Sequence, residues 1–219
     1  MVGYADAIRV ASRYTQLDLE RKSLAVLHTF LIQNPDLFGW KGKVKPNLTT
    51  EQGLTTLAEK YFTSRRTLVS PSEPQTVPDD MVSVILNSFY GHHTSRLDSI
   101  KKEHQHSMAA ENMVGELLER YLDSVLKNYG WIWCCGALVK HIDFIKQTPA
   151  GGFQLLQIKN RDNSENSSSK AIRDGTDIQH WFRTFSRTGA TNWSAFPDAV
   201  ARSQLSEAGF IKFVQQYPR

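Results

Sequence analysis

Asp143, Gln157 and Lys159 offer a carboxylate, an amide and an amine close together in the chain. They lie in VKHIDFIKQTPAGGFQLLQIK, residues 139–159, which reads as two β-strands around a Pro/Gly turn. With the turn centred on Ala150, Gln147 faces Phe153. Antiparallel pairing then sets Asp143 opposite Gln157, with Cβ atoms roughly 5 Å apart. Side chains alternate along a strand, so Lys159 shares the face of Gln157 and His141 lies opposite Lys159. Ile142, Phe144, Leu156 and Ile158 take the other face as core. An acid, an amide oxygen and an amine at one end of a hairpin suit a divalent metal acting on a phosphodiester. Asp143 would be the anionic ligand, with the Gln157 carbonyl and the main-chain carbonyl of Ile158 as neutral donors. Hard oxygen ligands favour Mg²⁺, with Mn²⁺ as a substitute, over zinc. Lys159 would position or deprotonate the attacking water, or bind a phosphate oxygen. The competing reading is a solvated cross-strand pair, which an Asp and a Lys on a half-exposed hairpin commonly form.

The helix before the hairpin bears on that choice, because a third acidic group usually completes such a site. Residues 109–127 read as an amphipathic helix with Val114, Leu118, Tyr121, Leu122 and Val125 in one stripe. At 100° per residue, Glu116 points away from the stripe into solvent. Glu119 lies on its flank and is the first choice for the missing anion. Glu111, near the stripe but at the helix start, is the second. Residues 131–138, rich in aromatic and small apolar side chains, read as a buried strand feeding the hairpin.

Upstream the chain reads as helical: residues 18–33, a helix from Thr50 to about Tyr61 capped by that threonine, and one from Asp79 to about Tyr90. Residues 67–78 hold three prolines and form a loop or lobe boundary. Residues 92–105 are a polar helix extension or connector. Downstream, residues 176–185 and 206–217 are expected to be helices, with Trp181 and Trp193 as core or interface residues rather than base-stacking ones. The expected division is a mainly helical lobe, 1–106, packed on a core, 107–219.

Composition sets the outer limits. The 219 residues carry a net charge of +4, compatible with a polyanionic partner but too mild to indicate one. Adjacent Cys134 and Cys135 sit in an apolar run without zinc spacing and read as buried, reduced thiols. His92-His93 and His104-x-His106 read as solvated side chains. No apolar run approaches a membrane span, and MVGYADAIRVASRY lacks the apolar core of a secretory signal. A cytoplasmic protein is expected.

Gly115-x-x-x-Glu119 on a helix, Asp143, and then Gln157-x-Lys159 on the next strand together resemble the PD-(D/E)XK nuclease superfamily. The AENMVGELLERY helix, the run QIKNRDNSENSSSKAIRDGTDIQHWFR and TGATNW are similar, more specifically, to SinI-type restriction endonucleases. This resemblance covers residues 109–193. It implies an α/β (α+β) fold, a mixed sheet flanked by helices in α-β-β-β-α-β order, with the N-terminal helical lobe added. Ile142 stands where proline is usual before the first acid, and Gln157 replaces the second acid.

The resemblance also implies a Mg²⁺-dependent type II restriction endonuclease that cuts double-stranded DNA to 5′-phosphate and 3′-hydroxyl ends. A homodimer is expected on a short palindromic or near-palindromic site, GG(A/T)CC-like by the resemblance, with a cognate DNA methyltransferase encoded nearby. Residues 160–175 become a DNA-facing segment in this reading, with Arg161, Asn163, Asn166, Ser168 and Arg173 as candidates; composition alone equally describes a solvated loop. His141 is a structural or phosphate-contacting candidate. The alternatives are a structure-specific repair or recombination nuclease of the same superfamily, and a non-catalytic DNA-binding protein on a degenerate core.

Overall fold

In the computed structural model, which describes residues 1–71, 77–162 and 177–218, the hairpin expected between residues 139 and 159 is present. It forms the centre of a four-stranded mixed sheet in the order β1(Trp131–Trp133)–β2(Phe144–Gln147)–β3(Phe153–Arg161)–β4(Ile178–Thr184). The β1–β2 and β2–β3 pairs are antiparallel, and β3–β4 is parallel. Helices and a mixed sheet give an α+β protein of the restriction-endonuclease-like kind. The chain falls into two units, residues 1–67 with 118–218, and residues 68–117.

The turn chemistry sets the register. Gly151 takes a left-handed φ of 84°, Thr148 N–H donates to the Gly152 carbonyl at 2.9 Å, and Gly151 N–H to the Thr148 carbonyl at 3.0 Å. Gln147 therefore pairs with Phe153 and Phe144 with Leu156, as expected from the turn position. Ile142, Phe144, Leu156 and Ile158 are all buried.

In the first unit, α1(Tyr4–Ala11), α2(Asp18–Gln33) and α3(Glu51–Arg66) pack together. Their buried face includes Val10, Leu24, Leu27, Leu31, Leu54, Leu57 and Phe62. The Thr50 hydroxyl caps α3 by accepting the Gly53 N–H at 3.1 Å, and α3 runs five residues beyond the expected Tyr61. In the second unit, Asp79 caps α4(Asp80–Ser88) through the Met81 N–H at 2.9 Å. The long helix α5(Leu97–Leu126) absorbs most of the polar stretch left open between helix and connector. Its part in the first unit buries Leu118, Tyr121, Leu122 and Leu126.

Three expectations are corrected. The strand expected over 131–138 ends at Trp133, because Gly136 and Ala137 turn the chain through left-handed φ values of 74° and 55°. The segment 178–184 is strand β4, not part of a helix. Ile178, Trp181, Phe182 and Phe185 fit a helical stripe, but β3 offers an open hydrogen-bonding edge and β-branched and aromatic residues suit it. His141 does not continue the hairpin opposite Lys159. Residues 138–140 instead leave β3 to meet residues 37–39, with Gly39 N–H on the Leu138 carbonyl at 2.9 Å and Lys140 N–H on the Leu37 carbonyl at 2.8 Å. Gly39 permits this approach, since a Cβ there would lie 2.4 Å from the Ala137 carbonyl oxygen. His141 is left exposed with a left-handed φ of 61°.

The other helix expected downstream is present as α7(Glu207–Gln216), preceded by the short α6(Ala199–Arg202). Trp181 and Trp193 are buried against each other, with ring centroids 5.0 Å apart, as expected of core residues. Asp198 joins α6 to the sheet: one oxygen accepts the Val200 and Ala201 N–H groups, the other the Trp131 indole at 2.9 Å and Lys146 Nζ at 2.8 Å. Burial alone would raise this carboxyl, but Lys146, the helix N–H groups and Trp131 hold it down to about 2. Its stabilising contribution is therefore complete above the unfolded carboxylate pKa and is lost as pH falls toward 2. Asp198→Asn is expected to lose about 2 kcal/mol in urea denaturation at pH 7, a deficit that narrows between pH 4 and 2.

Candidate active site

Asp143 stands one residue before β2, held on both sides. Its N–H donates to the Leu156 carbonyl at 2.9 Å, and its carbonyl accepts the Cys134 N–H at 2.8 Å. One further step of the β2–β3 register brings it opposite Gln157. The carboxylate turns toward β3, where Oδ2 accepts the Ile158 N–H at 2.6 Å. Gln157 is buried, and Lys159, two residues on along the same face, is partly exposed. The structure thus brings Asp143, Gln157 and Lys159 together at the end of the hairpin from which residues 138–140 depart.

Burial pushes the Asp143 carboxyl up to about 6, against the opposing pull of the Ile158 N–H and the Lys159 ammonium. A part-buried acid whose charged form is disfavoured is what a cation site needs, since a cation would restore that form. Among the described residues, no three His, Cys, Asp or Glu side chains cluster so as to hold a metal. The groups here that could hold a cation are the Asp143 carboxylate, the Gln157 amide oxygen and the Ile158 main-chain carbonyl. That set fits Mg²⁺, which keeps several waters and takes one or two carboxylates.

Of the helix glutamates, Glu119 is tied to the sheet. Its Oε2 accepts the Trp133 indole N–H at 2.8 Å, and the Trp133 ring lies beneath the guanidinium groups of Arg65 and Arg120. The next residue, Cys134, is bonded through its backbone to Asp143. Burial raises the Cys134 thiol well above its usual range, and the charges of Asp143, Cys135 and Glu119 raise it further. Glu116 is exposed, as the helical wheel implies. Glu111 is exposed on the part of α5 that belongs to the second unit. Trp133→Phe removes the indole donor and keeps an aromatic, though smaller, ring. The expected result is an approximately 10-fold drop in cleavage with a higher Mg²⁺ requirement, measured by titrating the metal in a cleavage assay.

Two residues on the site face were missed. Parallel pairing places His180 beside Gln157 and Phe182 beside Lys159. The alternation Ile178-x-His180-x-Phe182-x-Thr184 was their signal, hidden by the equally good helical stripe. Arg161, the last residue of β3, is exposed beside Thr184. Asn163, Asn166, Ser168 and Arg173 lie outside the described residues. Cys134 and Cys135 are both buried free thiols.

Comparison with known sequences adds an independent finding. The family model "SinI restriction endonuclease" matches residues 9–219. The type II restriction enzyme Eco47I of Escherichia coli is 48% identical over 176 residues, covering 80% of this chain and 76% of that protein. The type II restriction enzyme SinI of Salmonella infantis is 47% identical over 178 residues, covering 81% of this chain and 77% of that protein.

Proposed function

The chain belongs to the SinI restriction endonuclease family and is a type II restriction endonuclease; from this premise we propose that its β2–β3 hairpin is the centre that hydrolyses DNA phosphodiesters. The observation that carries the proposal is the register that sets Asp143 opposite Gln157 with Lys159 on the same face. Asp143, the Gln157 side-chain oxygen and the Ile158 carbonyl would hold Mg²⁺, or Mn²⁺ in its place. When bound, the ion supplies polarisation of the scissile phosphate and neutralises charge developing on its oxygens. Asp143 contributes the anion, and its bond to the Ile158 N–H fixes the carboxylate's direction. Lys159 Nζ orients the attacking water or donates to a phosphate oxygen as charge builds there. Glu119, with its direction set by Trp133, is favoured over Glu111 as the second anion, compensating for the neutral Gln157.

In this reading residues 107–219 carry the nuclease core and 1–106 are the mainly helical N-terminal part. The substrate is double-stranded DNA cut to 5′-phosphate and 3′-hydroxyl ends. Arg161 and His141 would contact the duplex. A GG(A/T)CC-like site, two-fold symmetric but for its central pair, is met by a homodimer, and a DNA methyltransferase of the same specificity protects the host. No helix among the described residues is long and apolar enough to cross a membrane.

The test is digestion of plasmid DNA by the purified protein with millimolar Mg²⁺, followed by sequencing of the fragment ends. Discrete fragments sharing one terminal sequence are expected, with cleavage abolished by EDTA and restored by Mg²⁺ or Mn²⁺. Nicking governed by DNA structure rather than sequence, or no cleavage with either metal, would overturn the proposal.

A further inference from the structure

The second unit, residues 68–117, has an unusual distribution of apolar side chains. Its buried hydrophobic residues, among those described, are Val69, Leu97, Ala109 and Leu117. Helix α4, with the sequence DMVSVILNS, buries none of its residues. Met81 is 58% exposed, Val84 53%, and Phe89 and Tyr90, just beyond the helix, 82% and 72%. At 100° per residue Met81, Val82, Val84, Ile85 and Phe89 share one side of α4. Val82 and Leu86 also border a groove of about 460 Å³ whose far wall is Ile100, His104 and Met108 of α5. Exposed apolar residues of the first unit, such as Leu17, Val44 and Val200, are dispersed along the sequence instead.

A nine-residue helix with no buried side chain lacks the tertiary packing that ordinarily stabilises so short a helix. An apolar surface of this extent marks an interface. We propose that the exposed face of α4, with Phe89, Tyr90 and the α4–α5 groove, is where a second copy of this chain docks. This rests on the homodimer reading given above and adds to it the surface that forms the dimer.

Three observations select a second copy as the occupant. Met81, Val82, Val84, Ile85, Phe89 and Tyr90 are each at least 43% exposed, an apolar cluster of the kind that forms the centre of one partner's share of an interface. The groove border carries both signs, Asp79 at the start of α4 and Lys101 on α5, the latter also paired with Asp98 at 3.1 Å, which an isologous pairing can match against itself. DNA is a poor occupant, because its phosphates select Lys and Arg rather than Val, Ile and Phe beside two aspartates. The chemistry adds a reason for two copies: each chain carries one Asp143–Gln157–Lys159 set, and cutting both strands of a site calls for two.

The test is sedimentation equilibrium of the full chain across micromolar concentrations, comparing wild type with Met81→Glu/Ile85→Glu, the single variant Phe89→Glu, and Leu17→Glu as an exposed apolar-to-acid control in the first unit. Wild type and Leu17→Glu are expected to be dimers. The double variant is expected to associate about 100-fold more weakly with its circular dichroism unchanged. If the double variant loses its helical signal, Phe89→Glu decides the matter, since that position is beyond the helix and largely exposed. A dimer that survives both sets of substitutions overturns this surface while leaving the homodimer intact. A dimer disrupted equally by Leu17→Glu overturns it as well. A wild type that stays monomeric with and without DNA overturns both the surface and the homodimer.

Discussion

Asp143→Asn is expected to yield a protein that melts about 5–10 °C higher than wild type at pH 8 in EDTA and no longer cuts DNA. The carboxyl is raised to about 6 by burial, which disfavours its charged form in the folded state. Both forms of the chain carry a neutral acid below the unfolded pKa near 4, so no cost arises there. As pH rises from about 4 to about 6 the unfolded chain gives up this proton while the folded state keeps it, and stability falls by roughly 3 kcal/mol, a loss complete above 6. Asparagine stays neutral throughout, and its carbonyl can still accept the Ile158 N–H. The gain should thus be present at pH 8 and absent at pH 4, as read by thermal unfolding at the two values. Equal melting temperatures at pH 8 would show that Asp143 is not held at a cost. A site residue that destabilises its fold is expected where function sets the choice of residue.

Lys159→Ala tests the other half of the hairpin. Cleavage should fall by at least about 1,000-fold, some 4 kcal/mol of transition-state stabilisation, while DNA binding measured in Ca²⁺ changes by only a few fold. Lys159 is partly exposed at the end of β3, so alanine leaves no large cavity there. Loss of cleavage with retained binding assigns the ammonium to the chemical step. If cleavage survives within 10-fold, the Asp143–Gln157–Lys159 set is not the hydrolytic centre.

The register of the hairpin was determined by the sequence alone. Strand periodicity is two, and the Thr148–Gly152 turn admits one alignment of Gln147 with Phe153; Asp143 then has to meet Gln157. Helix starts at Thr50 and Asp79 were equally local, because a capping side chain needs only the N–H groups two or three residues ahead. Family membership was legible too, in the helix around Glu119 and the run after Gln157.

Other features depended on parts of the chain far apart in sequence. The pattern Ile178, Trp181, Phe182, Phe185 satisfies both a helix and a strand, and the open edge of β3 made it a strand, bringing His180 beside Gln157. His141 left the ladder because residues 37–39 compete for the backbone of 138–140. Glu119 gained its standing over Glu111 from the indole N–H of Trp133, a partner no helical wheel could supply. The raised carboxyl of Asp143 is likewise tertiary, since desolvation depends on what the rest of the chain packs around it. Sequence spacing determined which groups share a strand face. Burial and competing backbone partners decided which of them meet, and in what state of charge.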